Sequence, residues 1–226
     1  MGSALVNSRD AWRSGAMQER IIETDADIAE GAAWLAAQDP RLRVALQRTG
    51  TLPLRRQQDG FEALLDAIIS QQVSVASANA LKKRLAEANL VAEDAIAAVG
   101  EASLREAGLS RQKARYVSAL AEARLDYPAL RHSALDEVVA TLVALPGIGR
   151  WTAEIYAMFA LGRADAFAAG DLALQESARL LFDIPRRPDE KELRRMAEDW
   201  QPWRAVAARL LWAWYRLEKG REGIRT

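Results

Sequence analysis

The fold is decided by one stretch of the sequence, Leu145-Pro146-Gly147-Ile148-Gly149-Arg150-Trp151-Thr152-Ala153. Pro146 cannot continue a helix, because its nitrogen carries no hydrogen and its ring blocks the preceding turn. Gly147 and Gly149 permit a tight backbone. The amides that enter the next helix can point at a phosphate, where the helix dipole is favourable. The stretch predicts a helix-hairpin-helix motif, and an ordinary tight turn between two helices is the alternative.

Apolar residues recur at helical spacing along almost the whole chain, and alternating strand patterns are missing. This spacing predicts an all-α protein, with breaks at glycines and prolines. The predicted helices cover residues 24–37, 61–69, 73–88, 91–98, 101–107, 111–125, 135–144, 150–161, 172–182, 189–198 and 203–219.

Composition excludes several kinds of active site. The 226 residues include no cysteine and a single histidine, His132, so disulfides, cysteine-ligated iron–sulfur clusters and multi-histidine metal sites are ruled out. No catalytic cofactor is expected, and catalysis must rest on carboxylates, Lys, Tyr or backbone groups. Lys and Arg together number 31, and Asp and Glu together also number 31, so the formal net charge is zero. Contact with nucleic acid must therefore come from the local arrangement of residues rather than from net charge.

The first 18 residues are expected to form a loose tail, with residues 19–226 forming the fold. No run of apolar residues has the length of a signal peptide or a membrane span. The sequence therefore predicts a cytoplasmic protein that does not contact membranes.

Two residues outside the hairpin carry further signals. Asp171 ends a loop and opens a predicted helix, where Asp is a favoured N-cap. Trp212 lies nine residues after Trp203, about 180° around the helix from the apolar stripe that contains Trp203. Trp212 therefore faces a second packed surface or a cavity.

These segments together resemble the helix-hairpin-helix DNA glycosylase superfamily, especially its DNA-3-methyladenine glycosylase II branch. The resemblance covers about residues 60–218, through the hairpin, Asp171 and four further motifs: Asp59-Gly60-Phe61, Ala67-Ile68-Ile69-Ser70-Gln71-Gln72-Val73-Ser74, Trp200-Gln201-Pro202-Trp203-Arg204 and Leu211-Trp212. It implies a two-lobed helical fold with an active site in the cleft. One lobe is expected at about 56–163, and the other at about 19–55 plus 164–226. The extra N-terminal α/β domain of the best-known bacterial relative is not expected before residue 60.

The resemblance also implies an activity. The protein is expected to bind double-stranded DNA as a monomer, flip out alkylated bases such as 3-methyladenine and 7-methylguanine, and excise them by hydrolysis to leave an abasic site. Asp171 matches the catalytic aspartate, which stabilises the oxocarbenium-like sugar or activates water. Trp151 stands where strand-cleaving relatives carry a lysine, so a monofunctional enzyme without lyase activity is expected.

Further roles follow from the same resemblance. Trp151 and Trp212 are expected to form an aromatic wall for the base, with Ile155 and Leu172 in place of two tyrosines. Expected DNA contacts are Gln71, Gln72 as a wedge in the base stack, and the hairpin residues Gly147, Ile148, Gly149 and Arg150. The main-chain carbonyls of Val143, Leu145 and Gly147 match a site for a structural Na⁺ or K⁺ ion. Arg111, Lys113 and Arg115 are additional candidate phosphate contacts, or form a solvated helix face.

Two other functions remain open from the sequence. A non-catalytic helix-hairpin-helix DNA-binding module would need neither Asp171 nor an aromatic pocket. A glycosylase for oxidised or mismatched bases would use hydrogen bonds to a neutral base, often with an activated lysine or an iron–sulfur cluster.

Overall fold

A computed structural model describes residues 19–220 as helices joined by short turns, with no β-strand in that range. One antiparallel bridge pairs Ile21 with Arg163. The predicted all-α fold is therefore confirmed for the described chain, whereas the predicted tail at residues 1–18 lies outside it. The chain divides into two compact units. We call Gln57–Leu161 the hairpin unit, and the segments up to Arg56 and from Gly162 the Asp171 unit.

The hairpin unit contains eight helices within its continuous segment. Numbered along the whole chain, they are α3 (Phe61–Ser70), α4 (Val75–Glu87), α5 (Glu93–Ala97), α6 (Glu101–Glu106), α7 (Arg111–Glu122), α8 (Tyr127–His132), α9 (Leu135–Val143) and α10 (Arg150–Phe159). Helix α7 packs against α3, α5 and α6, and α9 packs against α10. Their apolar faces form one core, which includes the buried residues Leu64, Ile68, Leu104, Leu120 and Leu142. This core fixes the ends of α9 and α10, between which the hairpin lies.

The Asp171 unit is built from both ends of the described chain. Its helices are α1 (Asp25–Gln38), α2 (Pro40–Thr49), α11 (Leu172–Leu181), α12 (Glu190–Met196) and α13 (Arg204–Lys219), with a short 3₁₀ helix at Ala197–Trp200. Helix α13 packs against α1, α2 and α11. Trp203, the N-cap of α13, packs directly on Gly31 of α1. A Cβ at residue 31 would lie 2.7 Å from Cε3 of Trp203, so glycine is needed for this contact.

Helix α13 is the central element of the Asp171 unit. Every residue from Ala205 to Trp214 is buried, as expected for a helix that is covered on all sides. The guanidinium of Arg209 is buried with the apolar residues, and it donates to the main-chain oxygens of Ala205 and Leu54. No helix within residues 19–220 combines the length and the apolar character needed to cross a lipid bilayer.

Two helices were not predicted from the sequence. Helices α2 and α8 each have a proline in the first turn, Pro40 and Pro128, and an aspartate as the N-cap. Asp39 accepts from the amide of Arg41, and Asp126 accepts from the amide of Ala129. Proline is well tolerated at a helix start, since the amides there have no partner within the helix. These prolines therefore begin helices, whereas the sequence pattern predicts only breaks at them.

Candidate active site and DNA-binding hairpin

The predicted hairpin joins α9, which ends at Val143, to α10, which begins at Arg150. Gly147 has a φ of 88°, and a Cβ at this position would lie 2.3 Å from Cδ2 of Tyr116. Both the backbone conformation and the tyrosine ring therefore require glycine at 147. Gly149 is the N-cap of α10, with a φ of −82°, and a Cβ there would meet nothing within 4 Å. The fold itself leaves space for a side chain at Gly149.

The hairpin residues that are expected to contact DNA differ in the exposure of their side chains. The side chain of Ile148 is buried in the core of the hairpin unit, so this residue can offer only its backbone to a ligand. Arg150 is exposed, and its Nε donates to Glu154 Oε1 over 2.9 Å. Its charge is therefore paired along the helix with a buried carboxylate. The first amides of α10 have no acceptor within the helix, as at any helix N-terminus.

Gln71 and Gln72 occupy the turn between α3 and α4. The side-chain amide of Gln71 donates to the carbonyl oxygen of Gly147 over 2.8 Å, which joins this turn to the hairpin. Gln72 is exposed and has a φ of 54°, a left-handed conformation that non-glycine residues rarely adopt. Lys113 donates to the carbonyl oxygen of Ile69 near the end of α3. Burial lowers the pKa of Lys113, in keeping with this internal contact.

The proposed cation ligands have contacts of their own. The carbonyl oxygen of Leu145 accepts from the amide of Ile148 over 3.2 Å, and that of Gly147 accepts from Gln71. Val143 is the last residue of α9, where carbonyls lack partners within the helix. A carbonyl oxygen has two lone pairs, so these bonds are compatible with a cation ligand. The Na⁺ or K⁺ site therefore stays a prediction.

Asp171 lies at the N-terminus of α11 and is 8% exposed. Its Oδ1 accepts from the amides of Ala173 and Leu174, over 2.9 and 3.0 Å, so the predicted N-cap is confirmed. The same oxygen accepts from Nε1 of Trp212 over 3.2 Å. The positive end of the helix dipole adds to these donors. Three N–H groups therefore hold one oxygen of this carboxylate.

The loop before Asp171 is packed tightly. Its residues from Ala166 to Ala169 are buried, and the amide of Asp171 donates to the carbonyl oxygen of Ala168 over 2.9 Å. The buried side chain of Gln175 reaches back from α11 and donates to the carbonyl oxygen of Ala169 over 3.0 Å. The chain therefore enters the helix in a fixed conformation.

The four residues expected to contact the base have different exposures. In the hairpin unit, Trp151 and Ile155 lie one helical turn apart on α10, with Trp151 40% exposed and Ile155 partly buried. In the Asp171 unit, Leu172 is 62% exposed, whereas Trp212 is only 5% exposed. Nε1 of Trp212 donates to Asp171, and the base-contacting roles stay predictions.

Sequence reasoning missed three contacts that shape these sites. Tyr116 packs on Gly147, Gln175 bonds to the loop before Asp171, and Lys113 bonds to the end of α3. For Lys113 the sequence predicts only a contact to phosphate or a place on a solvated helix face. Each contact joins distant parts of the chain or a side chain to a loop carbonyl, so helical periodicity gives no signal for it.

The chain matches the description "HhH-GPD superfamily base excision DNA repair protein" over residues 65–202. A relative from Mycobacterium tuberculosis is described as a probable bifunctional transcriptional activator/DNA repair enzyme. It is 30% identical over 221 residues, which are 92% of this chain and 44% of the relative. This chain therefore spans less than half the length of that relative.

Two solved structures are similar to this chain over nearly their full length. The DNA-3-methyladenine glycosidase of Bacillus halodurans has a TM-score of 0.76 and 28% identity, and the similarity covers 91% of this chain and 96% of the other. The 3-methyladenine DNA glycosylase of Schizosaccharomyces pombe, in complex with abasic DNA, has a TM-score of 0.69 and 25% identity. That similarity covers 84% of this chain and 97% of the other.

Proposed function

Because the chain belongs to the HhH-GPD superfamily of base excision DNA repair proteins, we propose that it is a glycosylase that removes alkylated bases from double-stranded DNA. The substrates are cationic methylated bases such as 3-methyladenine and 7-methylguanine, and the product is an abasic site. The names of the two similar solved proteins support this substrate class. The abasic DNA bound by the relative from Schizosaccharomyces pombe is what remains after a base has been removed.

The observation that carries the proposal is the placement of Asp171. A buried carboxylate at the start of α11 has one oxygen held by two helix amides and an indole N–H. These donors already hold the carboxylate in one orientation, so the group does not have to become ordered during the reaction. Helix capping accounts for the two amide contacts, whereas the burial of the carboxylate and its third donor, the indole of Trp212, favour a catalytic group.

The chemistry requires little beyond this carboxylate. Breaking the N-glycosidic bond builds positive charge on the deoxyribose, and the negative charge of Asp171 stabilises that charge or orients the attacking water. A base methylated on a ring nitrogen already carries positive charge and leaves without a strong general acid. The single histidine of the chain is therefore no obstacle to the reaction.

DNA binding is assigned to the hairpin unit. Gly149 and the first amides of α10 would contact phosphate, and the open space at Gly149 suits a close approach of the DNA backbone. Gln72, exposed in a left-handed conformation, would enter the space of the flipped nucleotide. A bound Na⁺ or K⁺, held by the carbonyls of Val143, Leu145 and Gly147, would supply positive charge toward a phosphate.

Base selection is assigned to Trp151 and Ile155 in the hairpin unit and to Leu172 in the Asp171 unit, whereas the buried Trp212 contacts Asp171. The exposed ring of Trp151 can attract an electron-poor base through its π-face. Ile155 and Leu172 supply apolar contact without further aromatic surface. Because Trp151 occupies the position at which a strand-cleaving relative carries lysine, the enzyme acts by hydrolysis alone.

The direct test is to incubate the purified protein with methylated DNA and to identify the released bases by chromatography. We expect free 3-methyladenine and 7-methylguanine, together with abasic sites in the DNA. DNA binding without base release would favour the non-catalytic module. Release of 8-oxoguanine without any cationic purine would favour a glycosylase for oxidised bases.

A further inference from the structure

Trp212 and Asp171 are held in contact inside the Asp171 unit. Nε1 of Trp212 lies 3.2 Å from Oδ1 of Asp171, although 41 positions separate the two residues in sequence. Both side chains are buried, with exposures of 5% and 8%. The helix amides hold Oδ1 from the α11 side, and the indole holds it from α13. The indole is therefore a donor to Oδ1 that comes from outside the capped helix.

The helices that carry this pair are fixed relative to one another. Helices α11 and α13 form the most extensive helix contact of the Asp171 unit. The hydroxyl of Ser177, on α11, donates to the carbonyl oxygen of Leu211 over 2.6 Å. Ser177 is fully buried, and Leu211 immediately precedes Trp212. A shift of α13 along α11 would break this bond, so the indole has a fixed position relative to Asp171.

Trp212 is buried, so it cannot offer its ring to a base as an exposed aromatic residue can. At 5% exposure its ring has little free face, whereas Trp151 is 40% exposed. The terminal torsion of an aspartate has a broad energy minimum, so contacts must set the direction of its second oxygen. A donor from a separate helix restricts that torsion in addition to the helix amides.

We propose that Trp212 is a positioning residue whose indole N–H fixes the carboxylate of Asp171 for base release. The inference rests on the proposed function, in which Asp171 is the catalytic group. Removing the N–H loosens the carboxylate but leaves the DNA contacts of the hairpin unit untouched. The loss should therefore fall on the rate of base release rather than on affinity for DNA.

The test compares two tryptophans on the same helix. Trp212→Phe keeps an aromatic ring and removes the N–H. Trp214→Phe is the matched control, because Trp214 is 7% exposed and its Nε1 has no hydrogen-bond partner among residues 19–220. Single-turnover release of 7-methylguanine and affinity for abasic DNA are measured for both variants. We expect a rate about 10- to 100-fold lower for Trp212→Phe, with unchanged affinity, and a wild-type rate for Trp214→Phe.

A second variant distinguishes loss of the N–H from the effect of the smaller ring of phenylalanine. Site-specific replacement of Trp212 by 3-benzothienylalanine keeps the bicyclic shape and exchanges the N–H for sulfur. The same loss of rate with unchanged affinity is expected. A wild-type rate in this variant, or an equal loss for Trp214→Phe, would overturn the inference while leaving the proposed function in place. Absence of base release by the wild-type protein would overturn both.

Discussion

The carbonyl oxygen of Gly147 accepts a 2.8 Å hydrogen bond from the side chain of Gln71, 76 positions earlier in the sequence. This bond joins the hairpin to the turn that carries Gln72. Both elements are proposed to contact DNA, one at phosphate and the other at the flipped nucleotide. The bond therefore sets the spacing between these two contacts before DNA arrives.

Replacing Gln71 by Met should weaken binding to all duplexes, because the variant keeps the length of the side chain but cannot donate to Gly147. Gln58→Met is the control, since Gln58 is exposed in the same unit. Fluorescence anisotropy with undamaged DNA and with abasic DNA measures the effect. Unchanged affinity for both duplexes would show that this bond does not organise the DNA-binding surface.

The two hairpin glycines should respond differently to alanine. Gly147→Ala forces a Cβ into the ring of Tyr116 at a positive φ, and it should lower the free energy of unfolding by about 1–3 kcal/mol. Gly149→Ala should leave stability unchanged and weaken binding equally for damaged and undamaged DNA, since phosphate contacts carry no sequence information. Thermal melts and binding titrations distinguish the two effects. A loss confined to damaged DNA would contradict the phosphate-binding role of Gly149.

The sequence predicted the helical architecture because the apolar spacing is regular along the chain. It failed at α2 and α8, where Pro40 and Pro128 were treated as breaks although an aspartate cap precedes each of them. Proline ends one helix and also suits the first turn of the next, so an aspartate shortly before it is the signal that distinguishes the two.

The site was predicted only as far as local patterns reach. The position of Asp171 after a loop predicted its cap, and the position of Trp212 off the apolar stripe predicted a second packed surface or a cavity. The bond between them depends on how α11 and α13 pack, which one sequence does not specify. The bond from Gln71 to Gly147 escaped prediction for the same reason.

The enzyme should produce abasic sites without cutting the strand. Trp151 has no amine, so it cannot form the Schiff base through which a lyase cleaves DNA. Borohydride treatment during the reaction should trap no covalent protein–DNA adduct, while a glycosylase with lyase activity serves as the positive control. High-yield trapping with this protein would refute the hydrolytic mechanism.

The range of substrates should follow charge and leaving-group ability. We expect release of 3-methyladenine and 7-methylguanine, together with the cationic bases 1-methyladenine and 3-methylcytosine, and poor release of hypoxanthine and 8-oxoguanine. Adding aromatic surface by Ile155→Tyr or Leu172→Tyr should narrow this range. Val44→Tyr, at an exposed site on α2, is the control. Single-turnover rates on oligonucleotides with one defined lesion measure the effect, and an unaltered range in both variants would argue against their contact with the base.

The most direct test of the account is base release by Asp171→Asn. The amide oxygen of Asn can still accept from Ala173, Leu174 and Trp212, so the helix cap and the fold should be kept. Asp189→Asn is the control, because Asp189 is also a helix N-cap, at α12, where its side chain accepts from the amide of Glu192. We expect release of 7-methylguanine to fall roughly 10²–10³-fold in Asp171→Asn, with DNA binding retained and Asp189→Asn unaffected. Release at the wild-type rate by Asp171→Asn would contradict the catalytic role of Asp171.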